Sequence, residues 1–185
     1  MTLRVASATL SRAANVRRAR FAARLGANPK LLVPDTGLTP FLPADDNFGW
    51  MLQQKPAELA RMERAARDAR TTTLRLARAG IQIGTGTDIW QVPTGVHMEL
   101  EELVTAGLSP AEAIRAATSS AARIIGVDGE LGTVETGKVA DLLILDANPL
   151  ADIRNTRKIS AVIQGGRVVD RAAIRRSFTP RPKSP

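Results

Sequence analysis

The chain has no cysteine, no tyrosine and a single histidine, and among its 185 residues only four phenylalanines and two tryptophans. Without cysteine there can be no disulfide, no zinc–thiolate site and no thiol nucleophile, a composition compatible with a reducing compartment. Metal chemistry must therefore rest on oxygen donors and on His97, and neither a two-histidine zinc site nor a Ser-His-Asp triad can be built without that residue. Scarce aromatics remove the stacking platforms that hold single-stranded nucleic acids. No apolar run reaches the ~18–20 residues of a spanning helix, and no signal-peptide core is visible. A cytoplasmic protein with no membrane partner is the expectation.

Acids are missing from residues 1–30, which carry seven basic groups, and from residues 171–185, which carry five. The formal charge of +8 thus sits at the ends, and residues 31–170 hold 14 basic against 18 acidic groups. A basic stripe across a folded face is not indicated, and nucleic acid is not an expected partner. The Arg-, Ala- and Ser-rich start is read equally well as a transit-like leader or as a plain amphipathic helix.

With 44% hydrophobic residues the chain can bury one real core. The pattern predicts a strand over Leu3–Leu10, a helix from Ser11 to about Leu25, and a long loop from Leu31 to Asn47 containing the pair Asp45 and Asp46. A long helix follows over Pro56–Ala79, stopped by Gly80, with apolar positions recurring at three and four. Ile81 to Asp88 reads as a strand, and His97–Ala106 as a short helix. Ser109, Pro110 and Glu112 form a capping box opening a helix to about Ile125. After Gly126 short β segments take over, at Val139–Leu145, Ile159–Ile163 and Arg167–Val169, with a hairpin signal at Gly165-Gly166.

The stretch Ile81-Gln-Ile-Gly-Thr-Gly-Thr-Asp88 ends an alternating strand pattern in small residues and one carboxylate. At the carboxyl end of a parallel strand Asp88 would stand where α/β proteins assemble their sites; equally, it could make an Asx-turn or cap. His97 is either an exposed cap of its helix or a polar group reaching into the same cleft. Three motif-like spellings fail on their chemistry. Gly132 to Val139 approaches a phosphate loop, but Val139 replaces the Mg²⁺-binding hydroxyl and Glu135 brings a negative charge. Gly84 and Gly86 lack a third glycine at Ile89 for a dinucleotide fingerprint. His97-Met98-Glu99 has the H-x-E of zinc deaminases without their cysteine pair.

Three stretches taken together, Ala79–Asp88, His97–Thr118 and Gly132–Asp146, resemble the C-terminal part of the amidohydrolase superfamily, in particular its imidazolonepropionase-like and Xaa-Pro-dipeptidase-like members. The resemblance covers roughly residues 50–170. It implies an α/β fold: the last two βα units of a (β/α)8 TIM barrel over residues 1–126, with Leu3–Leu10 about the seventh strand. Residues 127–175 would belong to a small flanking β-rich domain and 176–185 to a flexible tail. It implies that Asp88 ends the eighth strand, contacts a divalent metal, zinc by preference, and takes a proton from the metal-bound water. His97 would lie near a small-molecule amide or cyclic amide substrate. The family's other metal ligands, an H-x-H pair, a bridging lysine or carboxylate and two further histidines, have no counterpart in this sequence. A catalytic zinc takes about three protein ligands. The expectation is a hydrolase of carbon–nitrogen bonds present as a C-terminal fragment, inactive alone and retaining no metal: a gene fragment, a pseudogene product, or one half of a split enzyme whose second chain supplies the missing barrel. The alternative is a non-catalytic binding or scaffold protein that uses its basic termini for nucleic acid or a partner protein.

Overall fold

A computed structural model describes residues 56–86 and 95–177. The expected Leu3–Leu10 strand, Ser11–Leu25 helix, 31–47 loop and Asp88 itself lie outside the described residues.

Helix α1 runs over Pro56–Arg78. Proline costs nothing at a first helical position, and Glu58 in the first turn with Arg75 and Arg78 in the last complement the helix dipole. Its buried stripe is made of small residues, Ala66, Ala69 and Thr73, so a neighbouring helix can approach closely. That neighbour is α2, Gly95–Thr105. Arg70 of α1 donates through Nε to the Glu102 carboxylate at 2.8 Å and pairs with it through a terminal nitrogen at 2.7 Å.

The turn after α2 shows how the sequence stops its helices. Gly107 takes φ +109°, its amide donates to the Val104 carbonyl, and the Leu108 amide reaches back to Leu103. This is a Schellman motif, and the buried pair Leu103 and Leu108 supplies its apolar contact. Gly80 closes α1, and Gly126 closes α4 (Ser119–Ile125), with the same pair of bonds. Helix α3, Pro110–Ala117, opens on the predicted capping box: Ser109 Oγ accepts the Glu112 amide and the Glu112 carboxylate accepts the Ser109 amide at 2.6 Å. Arg78 donates to the same carboxylate at 2.5 Å and to the Gly107 carbonyl at 3.1 Å, tying the end of α1 to the α2–α3 turn. These donors, Arg78 first and then Ser109, hold the Glu112 carboxyl down at about 2.

Two expectations need correction. The helix predicted from Ser109 to Ile125 is two helices, because Thr118 (φ −128°, ψ −97°) separates α3 from α4, Ser119–Ile125. The Ala116 carbonyl, which would receive the Ser120 amide in an unbroken helix, instead accepts the Thr85 amide at 3.0 Å. Residues 81–86, predicted as a strand, carry no sheet pairing among the described residues. A period of two reports an extended chain with one buried side, but here only Ile83 is buried, and Ile81, two residues earlier on the same side, is exposed like Gln82. A ladder needs a partner that local pattern does not specify.

Ile83, Leu100, Leu103, Leu108, Ala113 and Ile153 form the main core, where the extended segment, α2, α3 and a 3₁₀ helix meet. Beyond α4, β1 (Leu142–Leu145), β2 (Ile159–Gln164) and β3 (Arg167–Val168) make an antiparallel sheet in that order. Leu142 stands opposite Ile163, Ile144 opposite Ala161 and Leu145 opposite Ile159, so Ser160 is the extra residue of a bulge. The β2–β3 connection turns at Gly165-Gly166, as predicted. Between β1 and β2 the 3₁₀ helix, Ile153–Arg157, is capped by Asp152 and buries Ile153 and Thr156. A short helix α5, Arg171–Ser177, was not expected, although Asp170 caps it by accepting the Ala173 amide. Among the described residues no helix is long and apolar enough to cross a membrane.

The loop before β1 presses Gly132 (φ +94°) into the α3–α4 break, where an added Cβ would stand 2.7 Å from Ala122 Cβ and 3.0 Å from Ser119 Cα. Gly137 has a similar φ of +91° but open space around it. Gly132→Ala should therefore destabilise by roughly 2–4 kcal/mol, strain plus overpacking, and Gly137→Ala by only about 1 kcal/mol. Thermal or urea unfolding of the two variants measures the difference, and equal losses would contradict the close approach.

Candidate functional site

The described part of the Ile81–Asp88 stretch ends at Gly86, and its position is set by two successive amides. Thr85 donates to Ala116 in α3, and Gly86 donates to both carboxylate oxygens of Glu99 in α2, at 3.2 and 3.1 Å. Gly84 fits beside α4 because it lacks a side chain; a Cβ there would meet Ile124 Cδ1 at 2.8 Å. Asp88 follows two residues later in sequence, outside the described residues.

Glu99 is 3% exposed. The stripe of α2 that faces the core runs through Gly95, Glu99, Glu102, Leu103 and, just past the helix, Ala106, so two carboxylates stand where apolar side chains normally would. Glu102 meets a guanidinium, whereas the hydrogen bonds shown for Glu99 come from a backbone amide. Burial therefore dominates and pushes the Glu99 carboxyl up to about 7, with the Gly86 amide opposing it in part.

His97 lies half-buried in the first turn of α2, two residues before Glu99. Its Nδ1 is 3.0 Å from Thr156 Oγ1, and the Thr156 hydroxyl donates to the Ile153 carbonyl at 2.8 Å. One turn further along α2, Glu101 accepts from Arg157 Nε and a terminal nitrogen at 2.9 and 2.8 Å. Loss of water on burial lowers the His97 pKa, and the nearby Arg157 charge adds to this against a smaller opposing pull from Glu101. Burial and Arg157 together favour the neutral imidazole.

The structure brings His97 and Glu99 onto the first turns of one helix, with Glu99 bound to the extended segment and His97 to the 3₁₀ helix. Sequence reasoning noticed Glu99 only within a rejected H-x-E spelling and passed over Thr156. The available signal for Glu99 was an acid on the buried stripe of α2, four residues before Leu103. Thr156 offered no comparable signal, since its partner lies 59 residues away.

The family model described as the amidohydrolase family matches residues 41–169. The chain belongs to that family. It is similar to imidazolonepropionase of Rubrobacter xylanophilus, 56% identical over 41 residues that make up 22% of this chain and 10% of that protein. It is also similar to ochratoxinase of Aspergillus niger, 36% identical over 97 residues, 49% of this chain and 20% of that one. Among solved structures, a Bifidobacterium longum protein assigned as a prolidase superimposes with a TM-score of 0.57 at 38% identity, over 80% of this chain and 34% of the other. The chain spans between a tenth and a fifth of the length of these two curated relatives.

Amidohydrolases are generally metal-dependent. Among the described residues, however, no group of three or more His, Asp or Glu side chains could hold a metal ion. A catalytic zinc takes about three protein ligands, so the described part of this amidohydrolase does not assemble a metal cage.

Glu99 gives the fold a distinctive pH response. Between about pH 4.5 and 7 the folded protein keeps a proton on Glu99 that the unfolded chain has lost, so stability falls as pH rises through that window and levels off above it. The full effect is up to roughly 3 kcal/mol. Glu99→Gln keeps an acceptor for Gly86 without a charge. Compared by unfolding at pH 5 and pH 8, the variant should gain on the wild type at the higher pH, and a constant difference would show that Glu99 titrates normally.

Proposed function

We propose that this chain supplies the carboxyl-terminal part of a metal-dependent amidohydrolase that cleaves carbon–nitrogen bonds in small amide or cyclic amide substrates, and that this part is inactive without further protein segments. The observation that carries the reading is the double anchoring of the extended segment: Thr85 on Ala116 and Gly86 on Glu99 fix the chain immediately before Asp88. In this reading Asp88 contributes its carboxylate to a divalent metal, zinc by preference, and accepts a proton, while His97 contacts substrate.

Residues 81–86 then correspond to the eighth strand of a (β/α)8 barrel, extended but with no strand beside it among the described residues. Residues 1–126 correspond to the end of that barrel, 127–175 to a flanking β-rich unit whose last helix, α5, runs on to Ser177, and the residues beyond it to a tail. Because the matched region accounts for only a fraction of each relative's length, the remaining ligands and most substrate contacts come from another segment or a second chain. The relatives' names, imidazolonepropionase, ochratoxinase and prolidase, share carbon–nitrogen bond hydrolysis rather than one substrate. The proposal therefore stops at that reaction class.

The test has two arms. The purified chain, loaded with zinc chloride and dialysed, should retain no stoichiometric zinc by elemental analysis and turn over neither Xaa-Pro dipeptides nor N-acyl amino acids. Tight one-to-one zinc with turnover overturns the shared-site reading. Assembled with a segment carrying the missing ligands, the protein should gain activity, and Asp88→Asn should lower kcat by roughly 10²–10⁴-fold, the usual loss on removing a general base. Unchanged turnover in that variant removes Asp88 from the chemistry.

A further inference from the structure

The contact between α2 and the 3₁₀ helix determines more than packing. Thr156 Oγ1 has one proton, and it stands 2.8 Å from the Ile153 carbonyl oxygen. Two oxygens at that separation repel unless a proton lies between them, so the hydroxyl proton is committed to Ile153. The Thr156 oxygen can then only accept from His97, 3.0 Å away on the imidazole Nδ1. A neutral imidazole carries one proton; if it is on Nδ1, Nε2 is a bare lone pair.

We infer that Thr156 is a positioning residue that fixes His97 as the Nδ1–H tautomer, so that Nε2 is presented as a hydrogen-bond acceptor and the ligand group it meets is an N–H or O–H donor rather than a carbonyl or carboxylate. The geometry supporting this is a double contact between two elements. His97 and Glu101 lie one turn apart on α2, and Thr156 and Arg157 are consecutive on the 3₁₀ helix, so the His97–Thr156 and Glu101–Arg157 contacts form adjacent rungs between the two elements. Thr156 is buried, and Ile153, whose carbonyl orients its hydroxyl, is part of the main core. The consequence for specificity rests on the reading of His97 as a substrate contact: an acceptor at Nε2 selects an amide or amine N–H of the substrate, and an Nε2–H ring would select its carbonyl oxygen.

The chain contains one histidine, so the test needs no assignment. Two-bond ¹H–¹⁵N correlation spectra of the ¹⁵N-labelled full chain, recorded at about pH 8 where the ring is neutral, should show a pyrrole-type Nδ1 and a pyridine-type Nε2. Thr156→Ser keeps the relay and should keep the pattern. In Thr156→Val the ratio of Nδ1–H to Nε2–H rings should fall roughly fivefold or more, the equilibrium equivalent of one lost hydrogen bond. An Nε2–H ring in the wild type, or an unchanged ratio in Thr156→Val, overturns the inference. Should Thr156→Val not fold, the wild-type and Thr156→Ser spectra still decide it. An Nε2–H ring in a protein that hydrolyses amides once assembled sinks the Thr156 inference alone. An Nδ1–H ring in a protein that never gains activity sinks the hydrolase reading alone.

Discussion

An extended segment with no strand beside it among the described residues must still satisfy its backbone amides, and the way residues 81–86 do so governs this part of the molecule. A buried N–H left without an acceptor costs about as much as a lost hydrogen bond. Thr85 and Gly86 find acceptors on two different helices, a main-chain carbonyl in α3 and a side-chain carboxylate in α2. Each solution leaves its mark on the accepting element. Diverting the Ala116 carbonyl accompanies the break at Thr118, and the break makes the recess into which Gly132 fits. Gly86 is satisfied by a carboxylate on the core-facing stripe of α2.

Three of the glutamates in this region show how far one side-chain type can be driven by its surroundings. Glu112 is partly exposed and meets Arg78 and the Ser109 amide, which stabilise its charge and push its pKa down. Glu102 is buried but faces Arg70 from the adjacent helix, so opposite charges meet in the interior and lock α1 to α2. Glu99 is buried against an amide, too weak a donor to offset lost hydration, and its pKa rises. A carboxyl that holds a proton near neutrality, beside the chain leading to Asp88, ties the anchoring of this segment to pH.

The second link runs from α2 to the region after α4. The 3₁₀ helix between β1 and β2 packs on α2 through Ile153 and sets Thr156 and Arg157 against His97 and Glu101. The β-rich carboxyl-terminal region therefore reaches back to orient a residue of the candidate site.

What the sequence by itself determined is local. The Pro56 start of α1, the Ser109–Glu112 capping box, the glycine stops and the Gly165-Gly166 hairpin each depend on residues within a turn or two, where side-chain chemistry and backbone dihedrals suffice. The family resemblance was legible for the same reason, since its motifs are contiguous stretches. Only the tertiary structure decided that Ile81–Gly86 has no ladder among the described residues, that the helix after Ser109 breaks at Thr118, that Glu99 holds Gly86 and that Thr156 holds His97. Those partners lie 13, 31 and 59 residues apart for Gly86–Glu99, Thr85–Ala116 and His97–Thr156. At such separations a polar side chain on a buried face shows that a partner must exist, but which one it meets is settled by how the helices and the extended segment pack.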